Sequence, residues 1–225
     1  MKNNVLTIEN LKHTYSDGQK RQTVLNGTNT TFKSGQLYAI VGESGSGKTT
    51  LISLISALDK IQSGDIKFNG KSLKKIGADR FRLKYVNIVF QSFNLIKYMT
   101  ARENVEVALD FAKYKGDVKE RAYELLKRVG LGKTKADRLV QKLSGGEQQR
   151  VAIVRAVAGD VPIVVADEPT GNLDEKTEGK ILDVFRELAK EGRIVIVVTH
   201  SQKVARDADA VVYKMKDGLL TKAKK

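Results

Sequence analysis

The sequence predicts an α/β fold: a mainly parallel sheet with helices on its faces, an antiparallel β flank, and a separate helical lobe. Three observations carry this. Short β-branched runs alternate with amphipathic helical stretches, as in strands joined by crossover helices. A glycine-rich loop, GESGSGKTT, stands between an apolar run and a helical one. The segments TVLNGTNTTF and GDIKFNG alternate apolar and polar residues, and both lie in the first third of the chain, residues 5–69.

β-Branched apolar runs predict strands over residues 37–41, 86–90, 163–166, 194–199 and 210–213. Helices are expected to start at Lys48, Gly146 and Lys176. Residues 100–142 turn helical and charged without a strong strand, and read as a lobe of their own. The chain is expected to form a single domain over residues 1–225, with a core and β flank at about 1–90 and 146–225 and a helical subdomain at about 91–145.

No apolar run approaches the roughly 18 residues needed to span a bilayer. The opening MKNNVLTIEN lacks the apolar stretch of a secretory leader, so a cytoplasmic location is expected. The absence of cysteine excludes disulfides and thiolate metal sites. Forty basic residues against 26 acidic ones give a formal charge of +14, compatible with nucleic acid, an anionic membrane surface or an acidic partner. The basic residues are scattered and aromatics make up only 6%, so no stacking groove forms and no nucleic-acid partner is expected.

The loop Gly42, Glu43, Ser44, Gly45, Ser46, Gly47, Lys48, Thr49, Thr50 fits G-x-x-x-x-G-K-[ST] directly after a strand and before the helical LISLISAL. Gly45 and Gly47 let backbone amides wrap phosphate oxygens. Lys48 reaches the β- and γ-phosphates, and Thr49 offers a hydroxyl to Mg²⁺. A plain glycine turn has no use for lysine and threonine at this fixed offset.

IVVADEPT is an apolar strand ending in two carboxylates. Asp167 is expected to hold Mg²⁺ through water, and Glu168 to act as the general base on the attacking water. An Asp-Glu pair after a strand is more often a solvated strand end, but the phosphate loop upstream reverses those odds. TKAD at residues 134–137 mimics a guanine-reading motif. It follows GLGK rather than a buried strand, no D-x-x-G switch occurs, and it reads as a coincidence in the helical lobe. Tyr15 precedes the phosphate loop and could stack on adenine, a contact worth roughly 1–3 kcal/mol for a nucleobase.

In LSGGEQQR, Ser144 and Glu147 have the spacing of a capping box. That leaves Gly145 and Gly146 unexplained, since each costs about 0.8–1 kcal/mol against alanine in a helix. Bare backbone at a helix start suits a phosphate.

Taken together, GESGSGKTT, Gln91 in VFQSFN, LSGGEQQR, VVADEPT, GNLD and His200 in VVTHS resemble, in order, the ATP-binding subunit of ABC transporters. The similarity covers essentially the whole chain. It implies a P-loop NTPase of the ABC ATPase type: a RecA-like core, an antiparallel β flank and a helical subdomain carrying the signature. It also implies that two subunits face head to tail on MgATP, with Ser144, Gly145 and Gly146 of one on the γ-phosphate held by Lys48 of the other. Gln91 would link Mg²⁺ to the helical lobe. Asp174 would bridge the subunits, and His200 would contact the γ-phosphate and orient Glu168. GNLD, VTHSQKVARDADAVVYKMKDG and FNLIKYMTARENVEVAL look most similar to the ATPases of macrolide export, lipoprotein release and bacitracin resistance, the MacB, LolD and BceA types. Two departures stand out: Glu43 replaces the commoner proline, and residues 140–142 replace the usual Tyr-Pro lead-in to the signature.

The expected function is an ATP-hydrolysing subunit on the inner face of the cell membrane, driving a separate integral-membrane permease in export or mechanotransmission. The charge of +14 suits a position against an anionic leaflet. The alternative is a soluble ABC-type ATPase of DNA repair, translation or cofactor assembly. It is disfavoured because the chain has one compact unit and no heptad run. A non-hydrolysing regulatory binder is disfavoured because every catalytic position is filled.

Overall fold

The computed structural model describes residues 3–16, 18, 20–171 and 173–223. Asn172 of GNLD and the last two lysines of TKAKK lie outside the described residues. The chain opens with strands β1 (Val5–Ser16), β2 (Arg21–Lys33) and β3 (Gln36–Val41), followed by helix α1 (Lys48–Ile55). Strands β4 (Ser63–Phe68) and β5 (Lys71–Ser72) lead into α2 (Leu73–Ile76), α3 (Ala78–Lys84) and β6 (Val86–Val89). The lobe holds α4 (Ala101–Phe111), α5 (Val118–Arg128), α6 (Lys133–Ala136) and a 3-10 turn (Val140–Lys142), then α7 (Gly145–Ala158) returns to the core. The chain ends through β7 (Ile163–Asp167), α8 (Glu175–Lys190), β8 (Ile194–Thr199), α9 (Gln202–Asp207), β9 (Val211–Lys216) and β10 (Leu219–Lys222).

Two sheets form. The larger runs β10-β9-β3-β8-β7-β6, parallel except for β10, and the flank runs β2-β1-β4-β5, all antiparallel. Strands β7 and β8 are apolar up to their last residues, Asp167 and Thr199, because both of their faces are buried. In β7, Ile163 and Val165 join the core under the β flank and α1, while Val164 and Ala166 join the core under α4, α5, α7 and α8. β8 divides in the same way, with Ile194, Ile196 and Val198 on one side and Val195 and Val197 on the other. This is the period of two of a pleated strand. The parallel register sets Val41 opposite Thr199 and Val198 opposite Asp167, so the C-terminal ends of β3, β8 and β7 align along one edge. Ligands of open α/β sheets bind at that edge.

The antiparallel flank and the helical stretch appear where the sequence placed them, with small shifts: α7 starts at Gly145, α8 at Glu175, and β9 covers Val211–Lys216. Helices α2, α3 and α9 and strand β10 were not anticipated, being too short to show a period; β10 exists through its pairing with β9. TKAD has a structural use. It spans α6, where Asp137 accepts from the Tyr123 hydroxyl at 2.7 Å and from Arg102 Nε at 3.0 Å. The Tyr123 hydroxyl, then Arg102, hold the Asp137 carboxyl below the usual carboxylate range. No helix among the described residues is long and apolar enough to cross a membrane.

Candidate nucleotide site

The phosphate loop joins β3 to α1 and is pressed from below by the β flank. Pairing jumps from His13↔Leu25 to Thr14↔Thr23, leaving Val24 as the extra residue of a bulge. The Val24 carbonyl then lies 2.8 Å from where a Cβ on Gly47 would stand, and Gly47 has φ +104°. A side chain at residue 47 is thus excluded by both backbone conformation and space. Lys48 Nζ donates to the carbonyls of Gly42 and Glu43, both at 2.8 Å, which lays the ammonium across the loop. Helix α1 has no side-chain cap, so its first amides and the positive end of its dipole serve the loop. Ser46 Oγ is buried without a hydrogen-bond partner. Beside the loop, a cleft of about 540 Å³ is lined by residues 41–46, His200, Gln202 and residues 214–217.

Two carboxylates meet the loop from β7. Burial first, then the neighbouring Glu168, pushes the Asp167 carboxyl above its ordinary value, against the pull of Lys48 and a hydrogen bond from Thr49. Glu168 adopts a left-handed backbone, φ +46°, which costs a non-glycine residue about 1–3 kcal/mol. The conformation is held in place. Glu168 N donates to Val198 O at 2.9 Å, and Gln149 Nε2 donates to Glu168 O at 3.2 Å. Its carboxylate accepts from Thr199 Oγ1 at 3.1 Å and His200 N at 2.8 Å. His200 Nδ1 lies 2.8 Å from the same Oε1; with Glu168 ionised it is the donor, which leaves Nε2 free for another partner.

The remaining candidates take distinct positions. Tyr15 ends β1, is 46% exposed, and places its hydroxyl 3.4 Å from Thr50 Oγ1 in the first turn of α1. Gln91 is exposed just beyond β6, in a segment fixed by Arg155, which donates to the carbonyls of Phe93 and Asn94. Buried Asn104 bonds both the amide and the carbonyl of Ile96 in that segment. Asp174 caps α8, accepting from the Thr177 amide and hydroxyl, and these bonds hold its carboxyl below the usual range. Thr49 and Asp167, in contact with each other, and the amide of Gln91 are hard oxygen donors of the kind Mg²⁺ takes when phosphates and waters complete its shell. No cluster of three His, Cys, Asp or Glu that could hold a metal alone occurs among the described residues.

At the signature, Ser144 Oγ accepts from Glu147 N at 3.3 Å and Glu147 Oε2 accepts from Ser144 N at 2.9 Å, forming the capping box. Lys135 of TKAD pairs with Glu147 at 2.7 Å. A Cβ on Gly145 would meet no heavy atom within 4 Å. Ser144 and the phosphate loop share no hydrogen bond among the described residues. Thr199 and Gln149 were missed from the sequence. Thr199 is an ordinary strand residue there, and Gln149 is one of two adjacent glutamines inside the signature LSGGEQQR, distinguished by being buried in α7.

Comparison with known proteins gives a matching class. The sequence profile of the ABC transporter family matches residues 25–171. The chain belongs to this family, as an ATP-binding subunit that hydrolyses ATP. It is 46% identical to the ABC transporter ATP-binding protein YclH of Bacillus subtilis over 84% of this chain and 85% of that one. It is 40% identical to the ABC transporter ATP-binding protein MJ0796 of Methanocaldococcus jannaschii over 98% of this chain and 97% of that one. The macrolide export ATP-binding/permease protein MacB of Bartonella quintana is 39% identical over 92% of this chain, which spans only 32% of MacB. Two dimeric structures of the MJ0796 cassette, one in a post-hydrolysis state bound to ADP and Pi, superpose with TM-score 0.88 at 37% identity, covering 98% of this chain and 99% of those.

Proposed function

We propose that the chain dimerises head to tail on MgATP and powers a separate integral-membrane permease from the inner face of the membrane, in export or mechanotransmission. The observation that carries the dimer is the signature corner. Its helix is already capped from within, its first glycine faces open space, and among the described residues no hydrogen bond joins it to its own phosphate loop. A phosphate reader detached from its own phosphate site suits a second subunit. The dimeric MJ0796 structures support the same reading.

Within each site, Gly42 to Thr50 cradle the phosphates, Lys48 neutralises the β- and γ-oxygens, and Tyr15 stacks on adenine. Thr49, Asp167 and Gln91 would hold Mg²⁺, which would supply positive charge to the phosphate oxygens. Glu168, oriented by Thr199 and His200, takes the proton of a water aligned for in-line attack on the γ-phosphorus. His200 Nε2 is turned toward the γ-phosphate, and Asp174 lies at the subunit boundary. The permease partner is supported by the ATP-binding/permease organisation printed in the name of MacB, of which this chain spans 32%.

Binding across the dimer is tested by complementation in a Glu168→Gln background. A homodimer of either variant, Ser144→Arg or Lys48→Ala, would have two broken sites. A mixed dimer regenerates one whole site from the intact Lys48 of one chain and the intact Ser144 of the other. An ATP-dependent dimer on size exclusion that appears only in the mixture is expected; no rescue at any ratio means that Ser144 does not serve its neighbour. For the permease, affinity purification from solubilised membranes should bring down one integral protein. Association with ribosomes or DNA instead would point to the soluble class.

A further inference from the structure

We infer that His13 is a positioning residue that holds the Tyr15 ring ready for the base of the nucleotide; this rests on the reading of Tyr15 as the stacking residue. The two rings meet edge to face, with centroids 4.7 Å apart and planes 68° apart. The Tyr15 hydroxyl, 3.4 Å from Thr50 Oγ1, makes a long O–H···O bond, so the edge-to-face contact with His13 is a substantial hold on the ring. The bulge in the β1 and β2 pairing falls between His13 and Thr14. Bulges increase twist and re-aim side chains, and this one lies where two rings on alternate residues come into contact.

Why a histidine stands there is otherwise unexplained. His13 is only 4% exposed and its Nδ1 is buried with no hydrogen-bond partner among the described residues. An unpaired buried nitrogen is costly, and an aliphatic side chain could fill the volume without that cost. What an aliphatic residue cannot supply is a flat, polarised ring edge to face with a tyrosine. A tyrosine fixed in this way loses less freedom when a base stacks on it, and the nucleotide binds more tightly for that reason. Being buried, His13 acts through Tyr15.

Calorimetric titration with ADP and with inorganic pyrophosphate, which lacks a base, separates positioning from structure. His13→Leu should weaken ADP binding by about two- to tenfold and leave pyrophosphate binding unchanged. His13→Phe should restore ADP binding, and His13→Leu added to Tyr15→Ala should cost nothing beyond Tyr15→Ala alone. Equal losses for ADP and pyrophosphate in His13→Leu would show a structural role and overturn the proposal. Wild-type ADP affinity in His13→Leu, with Tyr15→Ala impaired, would overturn it while leaving the role of Tyr15 intact. Wild-type ADP affinity in Tyr15→Ala would remove both.

Discussion

A glycine stands at the start of both α1 and α7, as the N-cap Gly47 and as the first helical residue Gly145, and the two starts are built in opposite ways. The start of α1 has no side-chain cap, its Gly47 is fixed by a left-handed backbone and by the Val24 carbonyl, and Lys48 lies across the loop in front of it. The start of α7 is closed by the Ser144–Glu147 capping box and braced by Lys135, while a Cβ on Gly145 would meet nothing within 4 Å. In α7 the box satisfies the amide of Glu147 and leaves those of Gly145 and Gly146 without intrahelical acceptors. One helix start is therefore built by its own chain around a phosphate site. The other is capped from within and keeps two amides without intrahelical acceptors, the first on a glycine whose added Cβ would meet nothing within 4 Å. Backbone and space demand glycine at residue 47; nothing in the fold demands it at residue 145, which suits the proposed role of that residue toward a second subunit.

The largest expected effect tests whether the α1 side alone holds the chemistry. Glu168→Gln should lower kcat about 10²- to 10⁴-fold, the range of a general base, while MgATP still binds and the dimer accumulates. Phosphate release and size exclusion read the two halves, and turnover near the wild-type rate would remove Glu168 as the base. Gly47→Ala comes next. The left-handed backbone alone costs about 1–3 kcal/mol, and the unfolding midpoint should fall by about 2–4 °C per kcal/mol, with nucleotide binding lost.

Gly145→Ala should do the reverse in thermal unfolding, raising stability by a few tenths to about 1 kcal/mol because alanine is the better helix residue and its Cβ meets nothing. ATP-dependent dimerisation should nonetheless fall. A destabilised Gly145→Ala chain would collapse the contrast between the two glycines. Asp167→Asn should also trade function for stability. The pKa of Asp167 is raised in the folded chain, so its ionised form costs stability above that folded pKa, and the cost vanishes below the ordinary value near about 3.9. At neutral pH the variant should unfold at a higher temperature and lose turnover.

The smallest effect lies in acid. Lys135 first, then the Ser144 amide, lowers the Glu147 pKa. The stabilisation is fully present above the unfolded value near about 4.3 and is lost as pH falls through the lower folded pKa. Replacing Lys135 by Met should move the NMR titration of Glu147 back toward the ordinary range, and an unmoved titration would discount the pair.

The phosphate loop, the two carboxylates after β7 and the Ser144–Glu147 box were legible because each is a local pattern, set within a few residues by turn chemistry, strand alternation or the geometry of a first helical turn. The family resemblance added roles for Gln91, Asp174 and His200 that no local pattern carries. What stayed hidden depends on contacts between residues far apart in the chain. The grip of Thr199, His200 and Gln149 on Glu168 needs β7 beside β8 and α7 beneath them, and Asp137 needs α5 and α4 against α6. The sequence by itself determined which residues could handle a phosphate, because backbone conformation and side-chain chemistry are properties of short segments. Only the tertiary structure decided how they are aimed. The left-handed turn at Glu168, the Val24 carbonyl beneath Gly47 and the His13 ring against Tyr15 are strained or close arrangements that persist because packing between sheets over-determines them.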